Sequence, residues 1–288
     1  MRDFIKHTYN TFLATKQIPY MIAIWSPFHL MAIYGIIYGI MNWSWVYLVY
    51  MIAGWAVFPG LGTAILLHRY FSHRSFVIRS WLTVPLYWIS CMSAQGSPIW
   101  WAALHIGYHH YHADKDKDIH SPVKGFWHAY MGWQFHIKHD TVNLKSSVHW
   151  FRDSLLMKFH KYYNSVIWGS LIVMFLINPM FAVWFYVIPV IFDLHLNGLI
   201  NSVCHTKRRG YRPFDTKDLS QNIWWLGLLD WGQGWHNNHH FNAKSYDFGT
   251  SVSKRWYEFD PCLLWLLLIS PWNETKKIFR IWREACRG

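Results

Sequence analysis

Residues 45–73 read WVYLVYMIAGWAVFPGLGTAILLHRYFSH, an apolar segment that ends in the box His68-Arg-Tyr-Phe-Ser-His73. About 20 apolar residues suffice to cross a bilayer as a helix, and residues 45–67 carry no charged side chain. Pro59-Gly60 predicts a kink inside the run. The segment therefore predicts a transmembrane helix that carries two possible metal ligands at its polar end.

Three more apolar segments complete two helical hairpins, with turns at Met41-Asn42-Trp43-Ser44 and at Asn178-Pro179. We predict an all-α, polytopic membrane protein with four transmembrane helices in a single domain, residues 1–288. The predicted transmembrane helices cover residues 19–40, 45–67, 157–177 and 180–203. A cytosolic helical cap is predicted from residues 68–156 and 204–288.

The positive charges support this topology. All 27 basic residues lie in the zones 1–16, 69–161 and 207–288, so residues 17–68 and 162–206 carry none. By the positive-inside rule these zones face the cytoplasm. We therefore expect a multi-pass integral membrane protein with both termini and the histidine clusters on the cytoplasmic side.

Composition excludes several classes of protein. The chain is 53% hydrophobic and 20% aromatic, which is typical of a protein that contacts the bilayer. Its four cysteines are scattered without a C-x-x-C pair, so a thiolate zinc site, an iron–sulfur cluster and a disulfide framework are not indicated. The net charge of +12 is interpreted as attraction to lipid head groups or to an acidic protein, and not to nucleic acid.

Residues 81–101 are long enough to cross the bilayer but are interrupted by polar residues and prolines. A crossing here would place the histidine clusters on opposite sides and would split the basic zones. We therefore predict a buried or interfacial helix on the cytoplasmic side. Residues 261–270 are too short to span, and residues 273–286 predict a basic amphipathic helix at the surface.

Histidines cluster beside the ends of the apolar segments. His68 and His73 would face one ion if the helix ends or bends there. In His105-Ile-Gly-Tyr-His109-His110, the i, i+4 spacing predicts His105 and His109 on one helix face. His110 would point about 100° away, toward a second ion. His112 is a possible further member of this cluster.

Two later clusters contribute further ligands. His236-Asn-Asn-His239-His240 follows a Gly-Gln-Gly turn, and His205 lies one helical turn after Asn201. Each cluster alone is compatible with ordinary interfacial histidines, but together they would supply two metal ions. A carboxylate-bridged di-iron bundle is disfavoured, because no glutamate precedes Glu258. Asp193 lies deeper in its apolar segment and is expected to pair with His195 or a polar neighbour.

These boxes, together with Asp118-Ile-His120-Ser-Pro and Asn201-Ser-Val-Cys-His205, occur in an order that resembles the membrane fatty acid desaturases. The stearoyl-CoA and bacterial acyl-lipid delta-nine type is the most similar branch. The resemblance implies four membrane helices and a cytosolic domain with a histidine-ligated di-iron centre. It implies iron ligation by His68, His73, His105, His109, His110, His205, His236, His239 and His240, and by Asn201 through a water molecule.

Two positions depart from the family pattern. The second box reads H-x-x-x-H-H, where the family has H-x-x-H-H, so either His105 or His112 completes it. Ala103 and Leu104 stand where acyl-CoA enzymes of the family carry an Arg-Asp pair. This difference favours a lipid-bound or carrier-bound acyl chain over a CoA thioester.

The implied reaction is the O₂-dependent insertion of a cis double bond, at the delta-nine position, into a fatty acyl lipid or acyl thioester. An unactivated methylene needs a metal-based oxidant, with two iron ions as cofactor and O₂ as co-substrate. Electrons would come from a ferredoxin or a small cytochrome. Candidates for the acyl tunnel are Trp100, Trp101, Tyr108, Trp231 and Trp235, with ordinary packing as the alternative. Candidate partners of the ligand rings are Asp114, Asp118 and His120, with a solvated loop as the alternative.

Two other functions compete with this interpretation. A hydroxylase or ketolase would use the same metal site and oxidant but insert oxygen. A membrane metal transporter or haem-binding protein would need no oxidant at all. Transport predicts ligands deep within the membrane helices, whereas most histidines here lie at the helix ends or beyond them.

Overall fold

The computed structural model describes residues 25–136 and 142–286, and within these ranges all regular elements are helices. Residues 19–24 of the first predicted span lie outside the described residues. The helices are α1 Ser26–Met41, α2 Trp45–Ser72, α3 Thr83–Met92, α4 Pro98–Leu104, α5 Trp133–His136, α6 Ser154–Lys161, α7 Tyr163–Ile177, α8 Pro179–Val203, α9 Trp224–Leu229, α10 His236–Phe241, α11 Thr250–Ser253, α12 Cys262–Ile269 and α13 Trp272–Ala285. The all-α prediction is confirmed for this part of the chain.

Two hairpins form the base of the fold, and both turns lie where the sequence predicts them. The Ser44 hydroxyl accepts a hydrogen bond from the Val46 N–H at the start of α2. The Asn178 side chain accepts from the N–H groups of Met180 and Phe181 at the start of α8. These caps allow α1–α2 and α7–α8 to reverse direction tightly.

Two of the described helices, α2 with 28 residues and α8 with 25, are long and apolar enough to cross a membrane. α1 and α7 are apolar but shorter, with 16 and 15 residues. The predicted span 157–177 is wrong at its beginning, because the helix breaks at Tyr162. Residues 157–161 belong to α6, whose last turn carries Lys158, His160 and Lys161 and is therefore amphipathic.

The kink predicted at Pro59-Gly60 takes the form of a change in helix type. α2 is α-helical to Trp55 and π-helical from Ala56 to Ser72. Proline lacks the N–H that an α-helix needs, and a wider turn relieves the clash of its ring with the preceding turn. At the polar end, the His73 N–H donates to the His68 carbonyl over five residues, at 3.2 Å. The two histidines consequently lie one π turn apart.

The single helix predicted over 81–101 is two helices in the structure. α3 and α4 are separated by residues 93–97, where Gly96 has a φ of +106° that disfavours any other residue. The Ser97 hydroxyl then caps α4 by accepting from the Trp100 N–H. α3 has a buried and an exposed face, since Tyr87 is buried and Trp88 at the next position is exposed, and its predicted place at the membrane surface stays a prediction. The predicted tail helix corresponds to α13.

Glycines bring the hairpin helices into close contact. A Cβ at Gly54 of α2 would lie 1.9 Å from the Phe185 carbonyl oxygen of α8, and a Cβ at Gly35 of α1 would lie 2.2 Å from Val183 Cγ1. Small residues at such positions let membrane helices pack backbone to backbone. The contact fixes α2 against α8, and both of these helices lead to the histidines.

We expect Gly54→Ala to destabilise the protein by about 1–3 kcal/mol, because backbone atoms of α8 cannot move aside as a side chain can. Gly169→Ala in α7 is the matched control, since nothing lies within 4 Å of a Cβ there. It should be neutral or stabilise by up to about 1 kcal/mol through helix propensity. Thermal unfolding of both variants in detergent measures the difference. Equal melting temperatures would contradict the proposed contact.

Candidate metal centre

The nine histidines highlighted in the sequence meet at the polar ends of α2 and α8. Their rings form two groups. Within each group, every ring offers one nitrogen that lies within 4.8 Å of the nitrogens offered by the other rings. Group A is His68, His73, His105, His110 and His239. Group B is His109, His205, His236 and His240. Seven of the nine residues are buried, and the other two, His110 and His240, are half-buried.

Short distances between Nε2 atoms connect the rings of group A. His68 and His239 lie 3.0 Å apart, His110 and His239 2.9 Å, and both His73 and His110 lie 3.0 Å from His105. A metal–nitrogen bond of about 2.1 Å places neighbouring ligand nitrogens at a right angle about 3.0 Å apart. The observed spacing therefore fits nitrogens that converge on one ion.

Group B has the same spacing. The Nε2 atoms of His205 and His236 lie 2.9 Å apart, and His240 Nε2 lies 3.2 Å from those of His109 and His236. Four neutral imidazoles are a suitable ligand set for zinc, copper, iron or nickel. Both groups can thus hold a metal ion by donor chemistry and by geometry.

The assignment of faces around His105 differs from the prediction. Residues His105–His110 form a π-helical turn that continues α4. In this turn the residues five apart share a face, so His110 joins His105 in group A and His109 points to group B. The i, i+4 prediction for His105 and His109 is wrong because it assumed α-helical spacing. The extra residue of the H-x-x-x-H-H box is absorbed by the wider turn.

α10 divides its histidines between the groups with ordinary α-helical spacing. His236 and His240, four residues apart, lie in group B, and His239 lies in group A. The two groups therefore share α10 and the π turn after α4. This six-residue helix therefore connects the two groups directly.

Carboxylates hold three rings of group B by their other nitrogen. His109 Nδ1 lies 3.2 Å from Asp118, His205 Nδ1 lies 3.1 Å from Asp114, and His240 Nδ1 lies 2.9 Å from Asp218. An Nδ1–H that donates to a carboxylate leaves the Nε2 lone pair for a metal.

Asp114 and Asp118 were predicted from the sequence as partners of the histidine rings, and the structure places both beside rings of group B. Asp116, which lies between them in the chain, is exposed. The contact of Asp218 with His240 could not be predicted from the sequence, because Asp218 lies in the basic loop and no sequence spacing relates it to His240.

Gln233 supports the histidines of both groups. Its side-chain oxygen accepts a hydrogen bond from His68 Nδ1 at 2.9 Å, and its carbonyl lies 3.2 Å from His236 Nδ1. From the sequence, this segment was identified only as the turn Gly232-Gln233-Gly234. The structure adds that a Cβ at Gly232 would lie 2.1 Å from the Asp260 carboxylate, so the backbone approaches Asp260 closely there.

Burial keeps most of the rings in the neutral form that binds metals, but at His109 the Asp118 carboxylate outweighs burial and raises the pKa of the ring. Burial lowers the pKa of His239 and His110 well below the ordinary value, and it lowers that of His73 to about 3. Burial also lowers the pKa of His240 to about 4, although Asp218 opposes it. Burial raises the pKa of Asp118, but the neighbouring His120 and His109 rings outweigh burial and hold this pKa well below its usual range.

The remaining site candidates lie at different distances from the rings. His120 packs against His109 and lies 3.4 Å from Asp118, whereas His112 lies outside both groups. Asn201 is half-buried, one turn before His205. These positions favour His105 over His112 as the member of the second box.

The tunnel candidates divide into two sets. Trp101 stacks on His105, with ring centroids 4.8 Å apart, and Trp100 lies against Gly96. Tyr108 accepts a hydrogen bond from the Asn143 N–H. The other two pack in the interior, Trp231 against Gly60 and Trp55, and Trp235 against Gly227 with its N–H donating to Phe259.

Two further carboxyl groups, Asp193 of α8 and Asp230 after α9, are fully buried. Asp193 accepts hydrogen bonds from Thr63 at 2.5 Å and Asn197 at 3.0 Å, so its partners are polar neighbours, and His195 instead contacts His29 and Tyr130. Asp230 is fully buried, and burial raises its pKa to about 7.

The sequence is similar to known proteins over most of its length. The family model described as fatty acid desaturase matches residues 42–265, which contain groups A and B. The acyl-CoA C20 Delta5-desaturase of Anemone leveillei is 31% identical over 247 residues, 81% of this chain and 75% of that protein. The sn-1 stearoyl-lipid 9-desaturase of Anabaena variabilis is 32% identical over 243 residues, 83% and 84%. Delta-9 acyl-lipid desaturase 1 of Arabidopsis thaliana is 32% identical over 206 residues, 70% and 65%.

We expect Asp230→Asn to stabilise the protein above neutral pH. The folded-state pKa of about 7 exceeds the ordinary value of 3.8, so the contribution of Asp230 to stability is complete below about pH 4 and is lost as pH rises to about 7. Asparagine mimics the neutral acid at every pH. The melting temperature should exceed that of wild type by a few degrees at pH 8 and match it at pH 4. Asp116→Asn, in an exposed loop, should change neither value.

Proposed function

The chain belongs to the fatty acid desaturase family, and we propose that it inserts a cis double bond into a fatty acyl chain at a two-iron centre held by groups A and B. The main support is the convergence of nine ring nitrogens in two adjacent groups at distances of about 3 Å, near those expected between ligands of one ion. The chain is an oxidoreductase, because members of its family are named as desaturases.

Among the side chains, only imidazoles would bind the irons directly, and Asn201 would hold a water molecule bound to one of them. Imidazole is a suitable ligand for iron. Asp114, Asp118 and Asp218 would fix the tautomer of three rings in group B. Gln233 would do the same for His68.

Bound iron, together with O₂, supplies the oxidant that breaks unactivated C–H bonds. In the balanced reaction, two hydrogens leave adjacent methylenes as the double bond forms. These two hydrogens, with two protons and two electrons from outside, reduce O₂ to two molecules of water.

The two electrons require a separate donor, a ferredoxin or a small cytochrome. Lys207, Arg208 and Arg209 are exposed just beyond His205, and such a basic surface would steer an acidic donor to the metal centre.

The acyl chain must be held so that it cannot slip by one carbon. Trp101, which stacks on His105, is the best placed of the tunnel candidates to contact a chain at group A. Trp100 and Tyr108 lie on the same helical segment, whereas Trp231 and Trp235 have the contacts of interior packing. We propose the delta-nine position, because two of the relatives are named for position 9.

The proposed topology has four transmembrane helices, α1, α2, α7 and α8, in a single domain with the metal centre and both termini in the cytoplasm. Exposed apolar side chains support membrane contact along the shorter helices. Ile40 of α1 and Leu176 of α7 are 75% and 82% exposed. Such side chains are expected to face lipid.

Expression in a host that lacks its own desaturase should yield a new cis-unsaturated fatty acid, detected by gas chromatography of total lipid. His105→Ala should abolish the product, because the ring belongs to group A. His112→Ala, outside both groups, should leave it within about twofold of wild type. A hydroxylated acyl chain, or equal product from wild type and His236→Ala, would rule out the proposal.

We expect an acyl-lipid substrate, because Ala103 and Leu104 are buried and apolar and offer no charge to a CoA head group. Purified protein in lipid nanodiscs, with a reduced donor, should desaturate labelled stearoyl phospholipid at least tenfold faster than labelled stearoyl-CoA. A faster reaction with the thioester would show that CoA is recognised elsewhere.

A further inference from the structure

The two metal groups differ in what lies behind their rings. Three of the four rings in group B are bonded through Nδ1 to a carboxylate, from Asp114, Asp118 or Asp218. Within residues 25–136 and 142–286, no carboxylate lies within hydrogen-bond distance of a ring in group A. The groups are therefore unequal in charge, although both are made of imidazole.

Group A has neutral partners or none. His68 donates to the amide oxygen of Gln233, and His239 Nδ1 is buried with no hydrogen-bond partner in the described part of the chain. Arg69 follows His68 directly, and its charge is balanced by Asp260 at 2.7 Å. Among the described residues, no carboxylate bonds directly to a ring of group A to offset the positive charge that a metal ion would bring.

Carboxylate partners strengthen metal binding by orienting the ring and by making its free nitrogen more basic. Loss of one such partner typically reduces metal affinity by about tenfold to hundredfold. Group A has one ring more than group B, so ring number alone would favour group A. The charges oppose this, because three carboxylates surround one group and none the other.

We propose that the two groups bind metal in a fixed order, with group B filled first and most tightly, and that Asp114, Asp118 and Asp218 are the positioning residues that set this order. This inference rests on the proposed two-metal function. It means that the metal in group A is the one that is lost first.

The test is a titration of metal-free protein with Co²⁺, followed by visible absorption and by calorimetry. Two ions should bind in two phases with affinities at least about tenfold apart. His205→Ala, in group B, should remove the tight phase and leave the weak one. His73→Ala, in group A, should do the reverse.

Charge variants then test the cause. Asp118→Asn should weaken the tight phase by about tenfold to hundredfold, while Asp116→Asn in the same loop should not change it. Gln233→Glu places a carboxylate behind His68 and should strengthen the weak phase. It is combined with Asp230→Asn, so that no second carboxyl faces the new one, and Asp230→Asn alone is the control. This gain of affinity cannot result from misfolding, and thermal unfolding monitors each loss variant.

The outcomes separate the two proposals. Two ions of equal affinity, or a tight phase that survives His205→Ala, would overturn the binding order and leave the two-metal centre in place. An unchanged tight phase in Asp118→Asn and Asp218→Asn would overturn its assigned cause. Fewer than two Co²⁺ ions per chain would contradict the proposed function itself.

Discussion

The site depends on helix spacing, since the rings converge only if residues five apart share a helix face. α2 becomes π-helical from Ala56, and the turn after α4 is π-helical from His105 to His110. In both places two histidines separated by five positions reach the same group. π turns are rare and occur mostly at functional sites, because their weaker packing is tolerated only where the turn serves a purpose. Without them His68 and His73, or His105 and His110, would diverge.

The site also depends on the burial of its histidine rings, and the surrounding polar groups provide hydrogen-bond partners that offset the cost of this burial. Desolvation lowers the pKa of most of the rings and keeps them neutral, which is the form that can bind a metal. A neutral ring still needs an acceptor for its remaining N–H, and Asp114, Asp118, Asp218 and Gln233 provide four of these. The buried pair Arg69–Asp260, with Phe248 between the guanidinium and His239, ties the end of α2 to the loop before α12. The same residues therefore take part both in charge pairing and in packing beside the histidine rings.

Much of the architecture follows from local patterns in the chain. The apolar runs, the turns at Ser44 and Asn178 and the tail helix could be predicted, because apolar length, capping residues and amphipathic spacing act over neighbouring residues. Helix type could not be read in this way. The break at Tyr162, the division of residues 81–101 and the π turns depend on packing against other helices, as the close approach of Gly54 to Phe185 illustrates.

The sequence by itself determined which residues gather at the centre. All nine histidines lie beside the ends of apolar segments, and these ends meet when the helices pack together. Only the tertiary structure decided how they divide between two groups and which acids stand behind them. Asp218 and Gln233 are distant in sequence from the rings they support, and His109 and His110 are adjacent in sequence but point to different groups. Whether a side chain is able to bind a metal depends on its chemistry, which the sequence gives directly. Which histidines share a group depends on backbone register, and this register is determined only when the helices pack.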